Sequence, residues 1–181
     1  MLASIDPLEN WNTENFVDTS YMFSFLPIKS LSALQNWDMS KVTDMHSMFK
    51  KCENIESLEP IKNWNCKCVR NMGELFYGLE NIESVDDLKN WDVSNVNEMN
   101  DMFYDCKNII SINDIANWNV KNVYDARNMF MNCSSIESFD PLENWELSSH
   151  VYKYGMFYHS SGGENVKFKG GEKDENGDFV C

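Results

Sequence analysis

The chain has 181 residues, 43% of them hydrophobic, which is enough to bury the core of one well-packed domain. Its formal net charge of −14 excludes nucleic acid and anionic membranes as expected partners, because phosphate groups are bound by clustered lysine and arginine side chains. No apolar run approaches the ~18 residues that a membrane-spanning helix needs, so we expect no membrane insertion.

The first residues, MLASIDPLENW, lack the basic and apolar regions of a signal peptide. Two expectations about location stay open on this ground. The chain is intracellular, or it is a fragment whose export signal lies elsewhere.

Six copies of one sequence unit follow one another along the chain. Each contains an Asn-Trp pair, and the spacing between tryptophans is 26 residues once and then 27 residues four times. A phenylalanine stands twelve residues after each tryptophan. We expect both columns to be structural ladders inside a stack of copies. They are Trp11, Trp37, Trp64, Trp91, Trp118 and Trp145, and Phe23, Phe49, Phe76, Phe103, Phe130 and Phe157.

The half of each unit that precedes Asn-Trp has an apolar residue at about every third position, as in CKNIISINDIANW at residues 106–118. A serine recurs seven residues before each tryptophan. Strict alternation of apolar and polar residues is absent, so a long strand is not expected. The spacing predicts a short strand or extended segment near the serine, followed by a turn.

The half that follows Asn-Trp has the spacing of a helix. In the fourth copy its apolar residues are Val96, Met99, Met102, Phe103 and Cys106. Steps of 3, 3, 1 and 3 place these residues on one side of an α-helix of about three turns. Ser94 precedes them and is predicted to be the N-cap, because its hydroxyl can accept a hydrogen bond from an unpaired amide.

Neither half has enough apolar surface to fold alone, so the copies are expected to stack as a solenoid. We predict a repeat domain at residues 1–158 with divergent end copies. Residues 159–181 are rich in glycine and charge and are predicted to be a C-terminal cap or tail.

The phrase N-W-D-x-S-x-V-x-x-M-x-x-M-F-x-x-C-x-x-I, best matched at residues 90–109, resembles the repeat of BspA-type leucine-rich-repeat surface proteins. The resemblance covers about residues 2–158, and the repeat is abundant in mycoplasma lipoproteins. It implies an α/β, leucine-rich-repeat-like solenoid of about six units of 26–27 residues, each a short strand or extended segment plus a short helix. It also implies a cell-surface or secreted location and a role in adhesion or host contact, without catalysis.

The sequence contains no Gly-x-Ser-x-Gly motif, phosphate-binding loop or metal-ligand spacing, and it has only three histidines. Cys66 and Cys68 form a C-x-C pair, but no second Cys or His pair follows at the spacing of a zinc site. The cysteines at one repeat position (Cys52, Cys106 and Cys133) are expected to be small core residues. We therefore expect no enzyme activity, no cofactor and no metal.

Two polar columns, five and eight residues before the tryptophans, are candidates for recognition. They contain Asp6, Glu56, Glu59, Glu83, Asp86, Asn113, Glu137 and Asp140. The spacing places them as an acidic band along one face, where stacked carboxylates raise one another's pKa. This band is either a candidate interaction face for a basic protein partner or a solvated face that keeps the protein soluble.

These observations favour a non-catalytic repeat scaffold for protein–protein interaction or surface adhesion. An alternative is a self-assembling structural component of a cell-surface layer or virus particle, joined end to end through its terminal repeats. A third reading is carbohydrate binding through exposed aromatic side chains.

Overall fold

A computed structural model of the chain describes residues 4–169. The six copies lie one on the next, and the helical elements of this part of the chain are seven short 3₁₀ helices. One begins in each copy, before its tryptophan, and the seventh follows the last copy. They are η1 (Asp6–Asn10), η2 (Ser32–Leu34), η3 (Glu59–Ile61), η4 (Asp86–Leu88), η5 (Asn113–Ile115), η6 (Asp140–Asn144) and η7 (Gly163–Asn165).

The recurrent serine starts each of the first six 3₁₀ helices. Its hydroxyl oxygen accepts a hydrogen bond from the amide two residues later, and that amide belongs to the first residue of the helix. In the fourth copy the Asp86 amide donates to Ser84 Oγ at 3.0 Å. The equivalent acceptors in the other copies are Ser4, Ser30, Ser57, Ser111 and Ser138. The serine column is therefore a set of turns, and the predicted short strand is replaced by one isolated bridge between Ser84 and Ser111.

A series of overlapping turns takes the place of the predicted α-helix. In the fourth copy the amides of Met102, Tyr104 and Cys106 donate to carbonyls three residues earlier, at 3.1–3.3 Å. The third residues of the first and last of these turns, Asp101 and Asp105, have φ of 56° and 62°. Type II turns have a left-handed residue at this place, whereas an α-helix of L-residues requires negative φ throughout.

The remaining amides of the turn segment bond to the next copy. Met99, Asp101, Phe103 and Asp105 donate to the carbonyls of Asp125, Arg127, Met129 and Met131, at 2.8–2.9 Å. The same four bonds occur at all five junctions between copies. One residue of each copy also forms an isolated parallel bridge with its equivalents: Asp18, Asp44, Asn71, Glu98, Asp125 and Tyr152.

The prediction of an α/β leucine-rich-repeat-like solenoid is wrong. Residues 4–169 contain no β-strand, no sheet and no α-helix. The amides that would close a helix inside one copy instead bond to the next copy. Ser94 consequently caps no helix, and its own amide donates to the Asp92 carboxylate at 3.1 Å.

Stacked aromatic rings run through the interior. Phe76, Phe103 and Phe130 stack in order with ring centroids 5.7 and 5.4 Å apart. The indole N–H of each tryptophan from the second copy onward donates to a carbonyl of the copy before it, as Trp91 does to Ile61 at 3.1 Å. The other four bonds join Trp37 to Leu8, Trp64 to Leu34, Trp118 to Leu88 and Trp145 to Ile115. Each aromatic residue therefore links neighbouring copies.

The two ends of the stack differ. At the first copy Trp11 is 51% exposed, although it stacks on Trp37. At the last copy Phe168 lies on Phe157, with ring centroids 6.2 Å apart. Residues 163–169 thus pack on the sixth copy, and residues 170–181 of the predicted cap or tail lie outside the described part of the chain. No helix within residues 4–169 is both long and apolar enough to cross a membrane.

Substitution of Phe103 by alanine is expected to lower the free energy of unfolding by roughly 3–5 kcal/mol, because it empties a fully buried place between two stacked rings. Urea denaturation measures the change. Phe25→Ala is the control, since this ring is 68% exposed, and its loss should change the stability by less than about 0.5 kcal/mol. Equal effects of the two substitutions would contradict the assignment of the Phe column to the core.

Candidate functional site

All eight residues of the predicted interaction face are exposed to solvent. Five of them are the first residues of η1, η3, η4, η5 and η6, and the other three come three residues before such a position. We call these eight residues the acidic face: Asp6, Glu56, Glu59, Glu83, Asp86, Asn113, Glu137 and Asp140. Their placement follows from the serine turns, since the amide of each first residue is held by a serine hydroxyl.

Backbone hydrogen bonds between copies also hold the glutamates of the acidic face. The Glu56 amide donates to the Lys29 carbonyl at 3.3 Å. Farther along, the Ile110 amide donates to the Glu83 carbonyl at 3.0 Å, and the Glu137 amide donates to the Ile110 carbonyl at 3.1 Å. The main chain of this face is therefore fixed before any partner binds.

Two further carboxylates lie beside the acidic face. The nearby Asp86 carboxylate, followed by burial, raises the pKa of Asp114. Burial and the nearby Glu59 charge raise the pKa of Asp87. Sequence reasoning missed both residues, because the position four before tryptophan holds proline or alanine in the other copies. The aspartates at this position in the sequences DDL and NDI were the available signal.

Cations only partly balance this cluster. Lys62 pairs with Glu59 at 2.7 Å, and both side chains are largely exposed. The charges of Lys62 and Lys89 act to lower the pKa of Asp87, but the net shift is upward. The cluster around Glu59, Asp86 and Asp114 therefore has an excess of mutually repelling carboxylates.

The turn segments carry a second polar surface, on which ion pairs join different copies. Lys50 pairs with Glu74, and Lys51 reaches across the third copy to Asp105 at 3.4 Å. Gly78 makes this reach possible, since a Cβ there would lie 2.7 Å from the Lys51 side chain. These lysines offset part of the negative charge of this surface, so the acidic face is the stronger candidate for an interaction site.

The cysteines offer little chemistry. Burial raises the pKa of Cys52 to about 12 and of Cys106 to about 12, and it also raises the pKa of Cys66 and Cys133. A thiol is nucleophilic mainly as the thiolate, so these four are unreactive at neutral pH. In the described part of the chain, no three His, Cys, Asp or Glu side chains are grouped so as to hold a metal ion.

Fold and surface together define a tandem-repeat protein whose copies are joined by backbone hydrogen bonds and stacked aromatic rings. The chain belongs to the family described as "Mycoplasma protein of unknown function, DUF285", whose model matches residues 2–109, 25–139 and 80–167. The predicted membership of a mycoplasma-type repeat family is confirmed at this level. The search of curated proteins found no match to the chain.

Alkylation of the native protein with iodoacetamide is expected to label Cys68, because it is the exposed cysteine of residues 4–169. Cys52, Cys66, Cys106 and Cys133 should remain unlabelled until the protein is unfolded, since all four are buried. Peptide mass mapping assigns the label to each position. Rapid labelling of Cys106 in the native state would contradict its burial.

Asp86→Asn is expected to lower the pKa of Asp114, because it removes the carboxylate that raises this pKa. A raised folded-state pKa means that stability is present at low pH and is lost as the pH rises through that pKa. The variant should therefore lose less stability than the wild type between acid and neutral pH. Carbon-13 NMR titration of Asp114 and urea denaturation at several pH values measure both effects; an unchanged titration of Asp114 would exclude the coupling.

Proposed function

We propose that this protein is a non-catalytic binding scaffold whose acidic face binds a basic partner protein. The observation that carries the proposal is the group of carboxylates at Glu59, Asp86 and Asp114, which are exposed or half-buried and outnumber the lysines that face them. A cationic group placed between these carboxylates would relieve their repulsion. Binding of a basic partner is therefore favoured electrostatically.

The rigidity of the acidic face supports the same proposal. Its residues are held by serine turns and by hydrogen bonds between copies, as at Asp86 and Glu137. Little backbone entropy would be lost when a partner binds, so more of the interaction energy would appear as affinity. An extended row of equivalent positions also suits a partner that contacts several copies at once.

The proposal extends to kinship with BspA-type surface proteins and to a role in adhesion. The repeat phrase of residues 90–109 supports this extension, together with membership of a mycoplasma repeat family. On this proposal the basic partner is a component that the protein meets at a cell surface.

The test measures binding of a synthetic peptide rich in lysine and arginine, by isothermal titration calorimetry at several salt concentrations. We expect binding that weakens with salt. The double variant Glu83→Gln/Asp86→Asn should raise the dissociation constant about tenfold, since each exposed ion pair contributes up to about 1 kcal/mol.

The matched control is Glu14→Gln/Glu53→Gln, which makes the same change of charge at two exposed positions outside the acidic face. It should change the dissociation constant by less than about twofold, because long-range effects of exposed charges are screened. Equal weakening by both double variants would mean that the peptide senses only the net charge, and the proposed site would be wrong.

A further inference from the structure

The first copy presents a row of backbone acceptors. At each junction, four carbonyls of the later copy accept hydrogen bonds from the earlier copy. The equivalent carbonyls of the first copy are those of Asp18, Ser20, Met22 and Ser24, which we call the acceptor edge. Within residues 4–169 none of the four accepts a hydrogen bond.

The sixth copy presents the matching row of donors. The amides that would donate to a following copy are those of Lys153, Gly155, Phe157 and His159, which we call the donor edge. None of these four amides donates to a residue in the described part of the chain. Residues 163–169 cover the Phe157 ring, but the Lys169 amide bonds to the carbonyls of Glu143 and Trp145, so residues 163–169 do not occupy the donor edge.

Exposed apolar and aromatic side chains flank both edges. At the first copy these include Val17, Tyr21 and Phe25, and Phe25 is 68% exposed. At the sixth copy they include Tyr152, Tyr154 and Tyr158, and Tyr154 is 81% exposed. Between the ends, the second to fourth copies expose no large hydrophobic side chain, and the fifth copy exposes Ile110 and Tyr124. Exposed patches of this kind mark interaction sites.

Charged side chains near the two edges can attract each other locally. Residues 4–28 contain four acidic side chains and no lysine or arginine. Residues 150–169 contain three lysines, of which Lys169 pairs with Glu146 at 2.8 Å within the chain. Lys153 and Lys167 have no ion pair in the described part of the chain, so they can attract the acidic side chains near the acceptor edge of another copy.

We propose that two copies of this chain associate head to tail, with the donor edge of one copy on the acceptor edge of the other. The four amides of the donor edge and the four carbonyls of the acceptor edge each belong to alternate residues, as do the donors and acceptors of every internal junction. The junction between two molecules would therefore have the same four hydrogen bonds as a junction between two copies of the unit. Acceptor edges cannot pair with each other, because neither supplies donors. Such an interface is heterologous, and repeated association would give open chains of molecules. The proposal does not rest on the acidic face or on the function proposed for it.

Sedimentation equilibrium of the full chain at several concentrations tests the association. We expect an average mass that rises with concentration above the monomer value of 21.1 kDa, and a smaller rise at high salt. The double variant Val17→Arg/Phe25→Lys should raise the dissociation constant tenfold or more, since like charges across an interface cost several kcal/mol. Both substitutions fit the fold, because Arg70 and Lys51 stand at the equivalent positions of other copies.

The matched control is Ile110→Lys, which adds a lysine at an exposed place away from both edges. The equivalent position of the second copy is Lys29, so the backbone accepts this side chain as well. We expect no change in the dissociation constant. A wild-type chain that stays monomeric at all concentrations, or equal weakening by Ile110→Lys, would overturn the proposal.

A mixing experiment separates head-to-tail contact from contact between like ends. Lys153→Glu/Lys167→Glu makes the donor end acidic and leaves the acceptor edge intact. This variant and Val17→Arg/Phe25→Lys should each be monomeric alone. Their mixture should associate, because the unchanged edges fit each other and the changed edges carry opposite charges. Self-association of Lys153→Glu/Lys167→Glu alone would indicate contact between acceptor edges. That result, or absence of association in the mixture while the wild type associates, would overturn the head-to-tail arrangement, and circular dichroism verifies that both variants are folded.

Discussion

No copy of the unit can satisfy its own backbone. Alternate amides of each turn segment point to the next copy, so four backbone hydrogen bonds per junction exist only when two copies are stacked. A buried amide without a partner costs free energy comparable to a lost hydrogen bond. Folding is therefore tied to stacking. The same junctions position the aromatic columns, since each indole from the second copy onward donates to a carbonyl of the copy before it.

The sequence contains the period of the structure but not its backbone geometry. Inward positions such as Met99, Met102 and Cys106 are spaced as on a helix, and a series of i to i+3 turns places the same residues inward. Spacing alone cannot separate the two. The usual signal for left-handed backbone is glycine, yet Ser47, Glu74 and Asp101 have positive φ, and only the sixth copy has glycine at their position. The physical reason for the wrong helix prediction is thus that hydrogen bonds to another copy compensate for conformations that are unfavourable locally.

The candidate site was accessible to sequence reasoning only in part. Column positions such as Glu83 and Asp86 follow from the repeat, and both lie exposed in the structure. The effect of Asp86 on the pKa of Asp114 joins two different columns of neighbouring copies, so it depends on the exact rise between copies, which no sequence period supplies. The sequence period does not predict the ion pair between Lys51 and Asp105 either, since these residues lie two copies apart. The pair can form because Gly78, in the intervening copy, has no side chain to block the Lys51 side chain.

The one shorter spacing in the chain, between Trp11 and Trp37, has a consequence for how the gene can change length. The four bonds of the first junction are all present, from Thr19 to Phe25, so the missing residue falls in the connection after Phe25. That connection is a place where residues can be lost or gained without shifting the register of the stack. Loss of a residue inside the turn segment would shift the alternation by one residue. Amides that donate to the next copy would then point elsewhere, and the hydrogen bonds of that junction would be lost. Recombination between copies is thus tolerated when it removes or adds whole units or alters their connections.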